Sequence, residues 1–278
     1  MAQKFQVSEV RSLPTEALLI PPTSAMLVGG QALALWVNAL EVPVPAVLAG
    51  GVTVDVDFLG SKADAQEHLK FLEIATARAR LRAEVRFPQA FENTPNSAKI
   101  TIFRDAEIEA EIDYLSHIIG YVGKDEERLK ARAIIVEDAY AAGSSLRVMH
   151  PFDCLRSRLC NLYSLPNKRN SIHVAQAHLA VCIMKAYLVR LINEASDVRA
   201  ALFPLLESLI DLATSVVGVN AFQTYGVDVI DCFPTELLPG SFMEKRFPQA
   251  VSYIDRRRVG RRGGKKNLLR KTGKPTAN

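Results

Sequence analysis

Two short runs of residues carry the chemistry this chain could do. Leu27-Val28-Gly29-Gly30-Gln31-Ala32 places two glycines between an apolar residue and a helix-like run. Glycines there let backbone amides approach an anion closely, and the helix that follows adds its positive end. Val52-Thr53-Val54-Asp55-Val56-Asp57-Phe58 alternates apolar and polar residues. Strand side chains alternate with period two, so Asp55 and Asp57 share one sheet face with Thr53. Two carboxylates on one face repel each other, and a divalent cation relieves that repulsion. Together the two runs describe a nucleoside triphosphate held by backbone amides, with metal ions held by paired aspartates.

A second acidic strand points the same way. Between Glu107 and Leu115, Ile108, Ala110, Ile112 and Tyr114 fall on one side and Glu107, Glu109, Glu111 and Asp113 on the other. The glutamates suit a solvated face. Asp113, flanked by Ile112, Tyr114 and Leu115, suits the inner end of a strand and is the third ligand candidate.

Gly29-Gly30, then Thr53-x-Asp55-x-Asp57, then a lone aspartate on a later strand resembles the DNA-polymerase-β-like nucleotidyltransferase fold. With its long gap and helical rear region, the stretch from about Leu27 to Leu191 resembles the AbiEii-type nucleotidyltransferases. These are toxins of bacterial toxin–antitoxin and phage-defence systems. The resemblance implies that Gly29 and Gly30 contact the triphosphate, with Thr53 beside them. It implies that Asp55 and Asp57 bind Mg²⁺ (or Mn²⁺) and that Asp113 completes the metal site and helps activate the attacking hydroxyl. The substrate would be an NTP, the acceptor a tRNA 3′ end, and an antitoxin protein a partner. In the rear region the family places a helix with a Lys, a basic loop and a helix beginning with Asp. Here Arg158 stands near the Lys position, Lys168-Arg169 lie in the basic loop, and Asn170 and His173 occupy the region of the Asp. Arg158 and Lys168 would neutralise triphosphate charge. Arg and Lys are not interchangeable, and Asn carries no charge. A non-catalytic nucleotidyltransferase-like protein that binds RNA or a protein partner is therefore the alternative.

The elements that must position these residues divide at about Pro151. Before it, helix-like Gln31–Leu40 and Lys62–Ala75 mingle with strands predicted at Val52–Leu59, Leu81–Phe87, Lys99–Phe103, Glu107–Leu115, Arg132–Val136 and Leu146–Met149. After it, Phe152–Leu162, Ser171–Asn193, Val198–Val216 and Phe242–Arg258 read as helices. The expected fold is α/β (α+β): a nucleotidyltransferase-like mixed sheet flanked by helices over 1–150, a helical lobe over 151–255, and a disordered basic tail over 256–278.

Composition narrows the function classes. The four cysteines have no Cys-x-x-Cys spacing, so a zinc or redox pair is not expected. His173 and His178 are too far apart on one helix for i, i+4 ligation, and Gly263-Gly264-Lys265 lacks the spacing of a Walker A loop. No unbroken apolar run reaches the ~18 residues of a membrane span. The N-terminus lacks a signal-peptide core, so a cytoplasmic location is expected. The net charge of +4 is uneven: residues 255–278 hold ten Lys/Arg against one Asp, and the remainder is slightly acidic. A basic segment of that kind suits RNA phosphates.

Overall fold

The structure is a computed structural model that describes residues 24–49, 51–52, 55–78, 81–105, 107–137 and 145–271. Thr53, expected at the nucleotide, lies outside the described residues, as does the lead-in before Ser24.

The fold is mixed α/β. A seven-stranded sheet carries β1 (Met26–Val28), β2 (Val56–Leu59), β3 (Arg82–Arg86), β4 (Asn96–Arg104), β5 (Glu107–Leu115), β6 (Ile134–Glu137) and β7 (Ser145–Val148). Its order is β3-β4-β5-β2-β1-β7-β6. The β2–β5 and β1–β7 pairs are parallel, and the β1–β2, β3–β4, β4–β5 and β6–β7 pairs are antiparallel. The helices are α1 (Gly29–Ala39), α2 (Lys62–Arg78), α3 (Lys124–Arg132), α4 (Pro151–Ser164), α5 (Ser171–Glu194), α6 (Val198–Thr214), α7 (Val216–Tyr225) and α8 (Phe247–Lys271).

The described chain forms two compact units that divide between Ile183 and Met184. The boundary falls inside α5, so α4 and the first half of α5 belong with the sheet. In the first unit the apolar rows of neighbouring strands stack: Val56 and Phe58 from β2, Ile112 and Tyr114 from β5, and Ala98, Ile100 and Ile102 from β4 are all buried. Phe58 and Tyr114 stack at 5.4 Å between ring centroids, and Tyr114 OH meets His68 Nδ1 at 2.8 Å. The sheet therefore has one dry side at its centre, and period-two alternation sends the intervening polar residues to the other.

The second unit is helical. Phe203, Phe233, Phe242 and Phe247 form its aromatic cluster, with successive centroids 5.4 to 6.3 Å apart. The segment expected to be a disordered basic tail from residue 256 begins inside α8, and one residue of its first turn, Arg258, is packed. Arg258 is buried, ion-pairs with Asp228, and lies 3.7 Å over the Phe222 ring; Gln223 Nε2 donates to its carbonyl at 2.6 Å.

Several predicted boundaries move. The strand expected to start at Val52 starts at Val56, which leaves Asp55 exposed just ahead of β2. The strand expected at Arg132–Val136 loses Arg132 to the end of α3. Helix α5 is long and apolar enough, by length and composition, to cross a membrane, although Gln176, His178 and Lys185 break its apolar run. Ala177, Leu179, Ala180, Val181, Ile183, Met184 and Leu188 along it are buried within the protein, as in a core helix.

Candidate active site

The site is built on strand register. β1 and β2 pair so that Val28 faces Asp57; β2 and β5 pair so that Asp57 faces Asp113; β5 and β4 pair so that Asp113 faces Lys99. Residues paired across neighbouring strands point to the same face. One row across the sheet thus reads Val28, Asp57, Asp113, Lys99, and the chain enters α1 immediately after Val28.

Gly29 is required at that point twice over. Its φ is +66°, a conformation side chains rarely adopt. A Cβ on it would also stand 2.1 Å from Asp57 Oδ2. The backbone at the start of α1 therefore lies directly against the Asp57 carboxylate. Gly30, buried, is the next residue of the same first turn, and no side chain caps the helix. Its leading amides keep the partial positive charge of a helix start. Gln31 is buried in the same turn, and its Nε2 finds no hydrogen-bond partner.

Asp57 is half-buried and receives no hydrogen bond from the described residues. Its carboxyl is raised from 3.8 to about 6. Burial is the largest cause; Arg158 opposes it, Asp113 and Asp55 add to it, and Lys168 opposes it. Asp55, Asp113, Arg158 and Lys168, all singled out in the sequence, thus lie within electrostatic reach of one carboxylate. Asp113 is also raised, by burial first, while Lys99 pulls it down. Asn96 Nδ2 donates to Asp113 Oδ1 at 2.8 Å, and Lys99 Nζ lies 3.4 Å from that oxygen and 3.2 Å from Glu111.

The rear residues come from α4 and the turn after it. Arg158 is buried on α4, and its Nη1 donates to Gln176 Oε1 at 3.1 Å, while its Nε has no partner. Lys168 ends the 3₁₀ turn Pro166–Lys168. Arg169 instead closes α4, donating to the carbonyls of Leu162 and Tyr163. Asn170 caps α5: its Oδ1 accepts from the His173 amide at 3.1 Å and from His173 Nδ1 at 2.7 Å. An amide oxygen only accepts, so Nδ1 carries the hydrogen. Burial lowers His173, and Lys168 and Arg158 lower it further. The two residues that stand in the region of the family's Asp are thus a helix cap facing the site's cations.

The donor set fits a divalent cation in part. Asp57 and Asp113 stand in register on adjacent strands, and burial raises both carboxyls. Among the described residues, however, no three His, Cys, Asp or Glu side chains converge as a metal-holding group. Asp55 acts on Asp57 but lies ahead of the strand, and Lys99 takes up part of the Asp113 charge. Lys99, Asn96 and Gln176 are the members of the site that sequence reading missed. Lys99 lies on a predicted strand, but only the register reveals what it faces. Gln176 did leave a signal: it is a polar residue spaced with Ile172, Leu179 and Ile183 on one helical stripe. Among known proteins, no family model matches the chain and no curated protein matches it.

Proposed function

We propose that the protein is a metal-dependent nucleotidyltransferase of the AbiEii type, moving an NMP from an NTP to an acceptor hydroxyl with release of pyrophosphate. The observation that carries the reading is the conjunction at one point of the sheet. Gly29 admits the start of α1 against Asp57 Oδ2, and Asp57 pairs in register with Asp113. An anion-binding backbone beside a carboxylate that burial destabilises and that receives no hydrogen bond from the described residues is a poor arrangement for stability alone. It suits a ligand that brings both phosphate and cation.

Asp57 and Asp113, with Asp55 ahead of the strand, would hold Mg²⁺ or Mn²⁺. Such a cation, when bound, stabilises charge on the attacking and leaving oxygens of an in-line displacement. The chain's own residues supply the rest. The amides of Gly29 and Gly30 orient the triphosphate. The Arg158 guanidinium, whose Nε is unspent, and the Lys168 ammonium neutralise its charge. Asp113 accepts the proton of the acceptor hydroxyl. The acceptor suggested by the resemblance is a tRNA 3′ end, and the basic segment after Val259 would add phosphate contacts. An antitoxin partner and a cytoplasmic location belong to the same proposal.

One observation favours the alternative, a nucleotidyltransferase-like protein that binds RNA or a protein partner without transfer. Lys99 lies against Asp113, where it supplies positive charge from the chain itself. Incubation of the protein with Mg²⁺ or Mn²⁺, each α-labelled NTP and total tRNA separates the two. Label in the tRNA supports transfer. RNA binding with no label from any NTP supports the alternative.

A further inference from the structure

Gln176 connects two parts of the site that are far apart in sequence. It sits in the first half of α5 and is 5% exposed. Its Oε1 accepts from Arg158 Nη1 at 3.1 Å, and its Nε2 donates to the Val52 carbonyl at 2.7 Å. Both partners have fixed polarity. A guanidinium only donates and a carbonyl only accepts, so the orientation of the amide is settled. Val52 stands three residues before Asp55 and five before Asp57.

The chemistry of the bridge is specific to an amide. A glutamate at 176 would accept from Arg158 but would set a carboxylate oxygen against the Val52 carbonyl. It would also cancel the Arg158 charge in a buried place, where pairing is strong. A glutamine fixes the guanidinium and leaves its charge whole. That charge acts on Asp57, and burial alone would weaken it.

We infer that Gln176 is a positioning residue: a neutral bridge that holds the Arg158 cation un-neutralised at the site and ties it to the backbone leading into Asp55 and Asp57. The inference rests on the proposed reading in one respect, that the anion Arg158 awaits is a polyphosphate. It accounts for a buried arginine whose only hydrogen-bond partner among the described residues is uncharged.

Two variants of the full chain test it, Gln176→Glu and Gln176→Met. Both lose the donor to Val52. The glutamate keeps an acceptor for Arg158 but cancels its charge, and the methionine keeps the charge but loses the acceptor. Amide hydrogen exchange over residues 51–58 reads the tie to the backbone. Binding of inorganic tripolyphosphate, by calorimetry, reads the cation. Exchange over 51–58 rises in both variants. Tripolyphosphate binding weakens about tenfold or more in Gln176→Glu and less in Gln176→Met, one lost charge contact being worth about a factor of ten. A merely structural role ranks them the other way, because methionine loses both hydrogen bonds. Unchanged exchange in both variants overturns the tie. Weaker binding by Gln176→Met than by Gln176→Glu, or no binding by the unaltered protein, overturns the cation-holding role. Transfer of label to tRNA by the unaltered protein is scored separately. Its absence counts against the transferase and leaves the exchange and tripolyphosphate results to decide the role of Gln176.

Discussion

Asp153 and Asp57 are both carboxylates set into the first unit, and they are treated in opposite ways. Asp153, in the first turn of α4, is fully buried. Arg132 donates to both its oxygens, from Nε at 2.9 Å and Nη2 at 2.6 Å, and the Tyr121 hydroxyl adds a third bond at 2.9 Å. The Arg132 guanidinium in turn lies over the Phe152 ring. Every charge there is spent on the chain itself. Asp57 has cations within reach but no donor on it, and Asp113 and Asp55 make its charge harder to keep. A fold that can saturate Asp153 could have saturated Asp57. The contrast separates a carboxylate that joins α3 to α4 from one that, on the proposed reading, is left for a ligand.

Substituting at the two aspartates should break different properties. Asp57→Asn should lower transfer by at least about 10³-fold, as expected for losing a group that stabilises charge in the transition state. Its melting temperature should be unchanged or higher, since a strained charge is removed. Gly29→Ala should match that loss of activity by another route. Its Cβ has no room beside Asp57 Oδ2, and φ of +66° strains any side chain. Label transfer per milligram of folded protein measures both. Asp153→Asn should do the reverse, costing roughly 3 kcal/mol in urea unfolding because Arg132 loses its partner in a largely buried place. Its transfer rate per folded molecule should hold.

The pH dependence sharpens the comparison because the two regions have opposite signs. Asp57 is raised to about 6, so the folded state holds its proton more tightly than the unfolded state. Its ionisation then costs stability as pH rises from about 3.8 through 6, and Asp57→Asn should abolish that cost. Three residues before Asp153, His150 caps α4 by accepting from the Phe152 amide at 3.0 Å. Burial, with Arg132 adding, lowers it to about 3. A neutral His150 therefore contributes stability above pH 6.5 that is lost progressively as pH falls toward 3. His150→Asn should keep a cap and escape the loss. Between pH 6.5 and 5 the unaltered protein should lose about 2 kcal/mol more than this variant. Urea unfolding at the two pH values measures it, and equal losses would show that His150 takes up its proton as readily in the folded state as in the unfolded.

The smallest effect on chemistry should come from the basic segment. Removal of 260–278 should weaken RNA binding and flatten its salt dependence while leaving turnover at saturating acceptor nearly intact. Removal of 256–278 should in addition lower stability, because it takes away Arg258 and with it the Asp228 ion pair and the Phe222 contact. Binding titrations at two salt concentrations and melting curves separate the two deletions.

Much of this was legible before the structure, for reasons that differ by element. β5 spans Glu107–Leu115 as its strict alternation predicts, and that alternation puts Asp113 on a different face from Ile112 and Tyr114. Pairing is not written in a single strand's pattern. That Asp113 faces Asp57 on one side and Lys99 on the other depends on register, which belongs to two strands at once. α3 was missed because it buries only Leu129, so it has no apolar stripe. Its one signal was charge, with Asp125, Glu126 and Glu127 in the first turn and Lys130 and Arg132 in the last, matching the helix dipole. Arg258 falls in the segment expected to be a disordered basic tail, because its neighbours are cations. Its partners, Asp228 and Phe222, lie 30 and 36 residues away.

The central claim is that Asp57 is left under-compensated for a cation. Titration of Mn²⁺ at pH 7.5 in the presence of NTP, with free Mn²⁺ followed by electron paramagnetic resonance, tests it most directly. The unaltered protein should withdraw more Mn²⁺ from solution than the NTP alone does, Asp57→Asn should not, and His150→Asn should behave as the unaltered protein. Identical titrations for the unaltered protein and Asp57→Asn would contradict the claim.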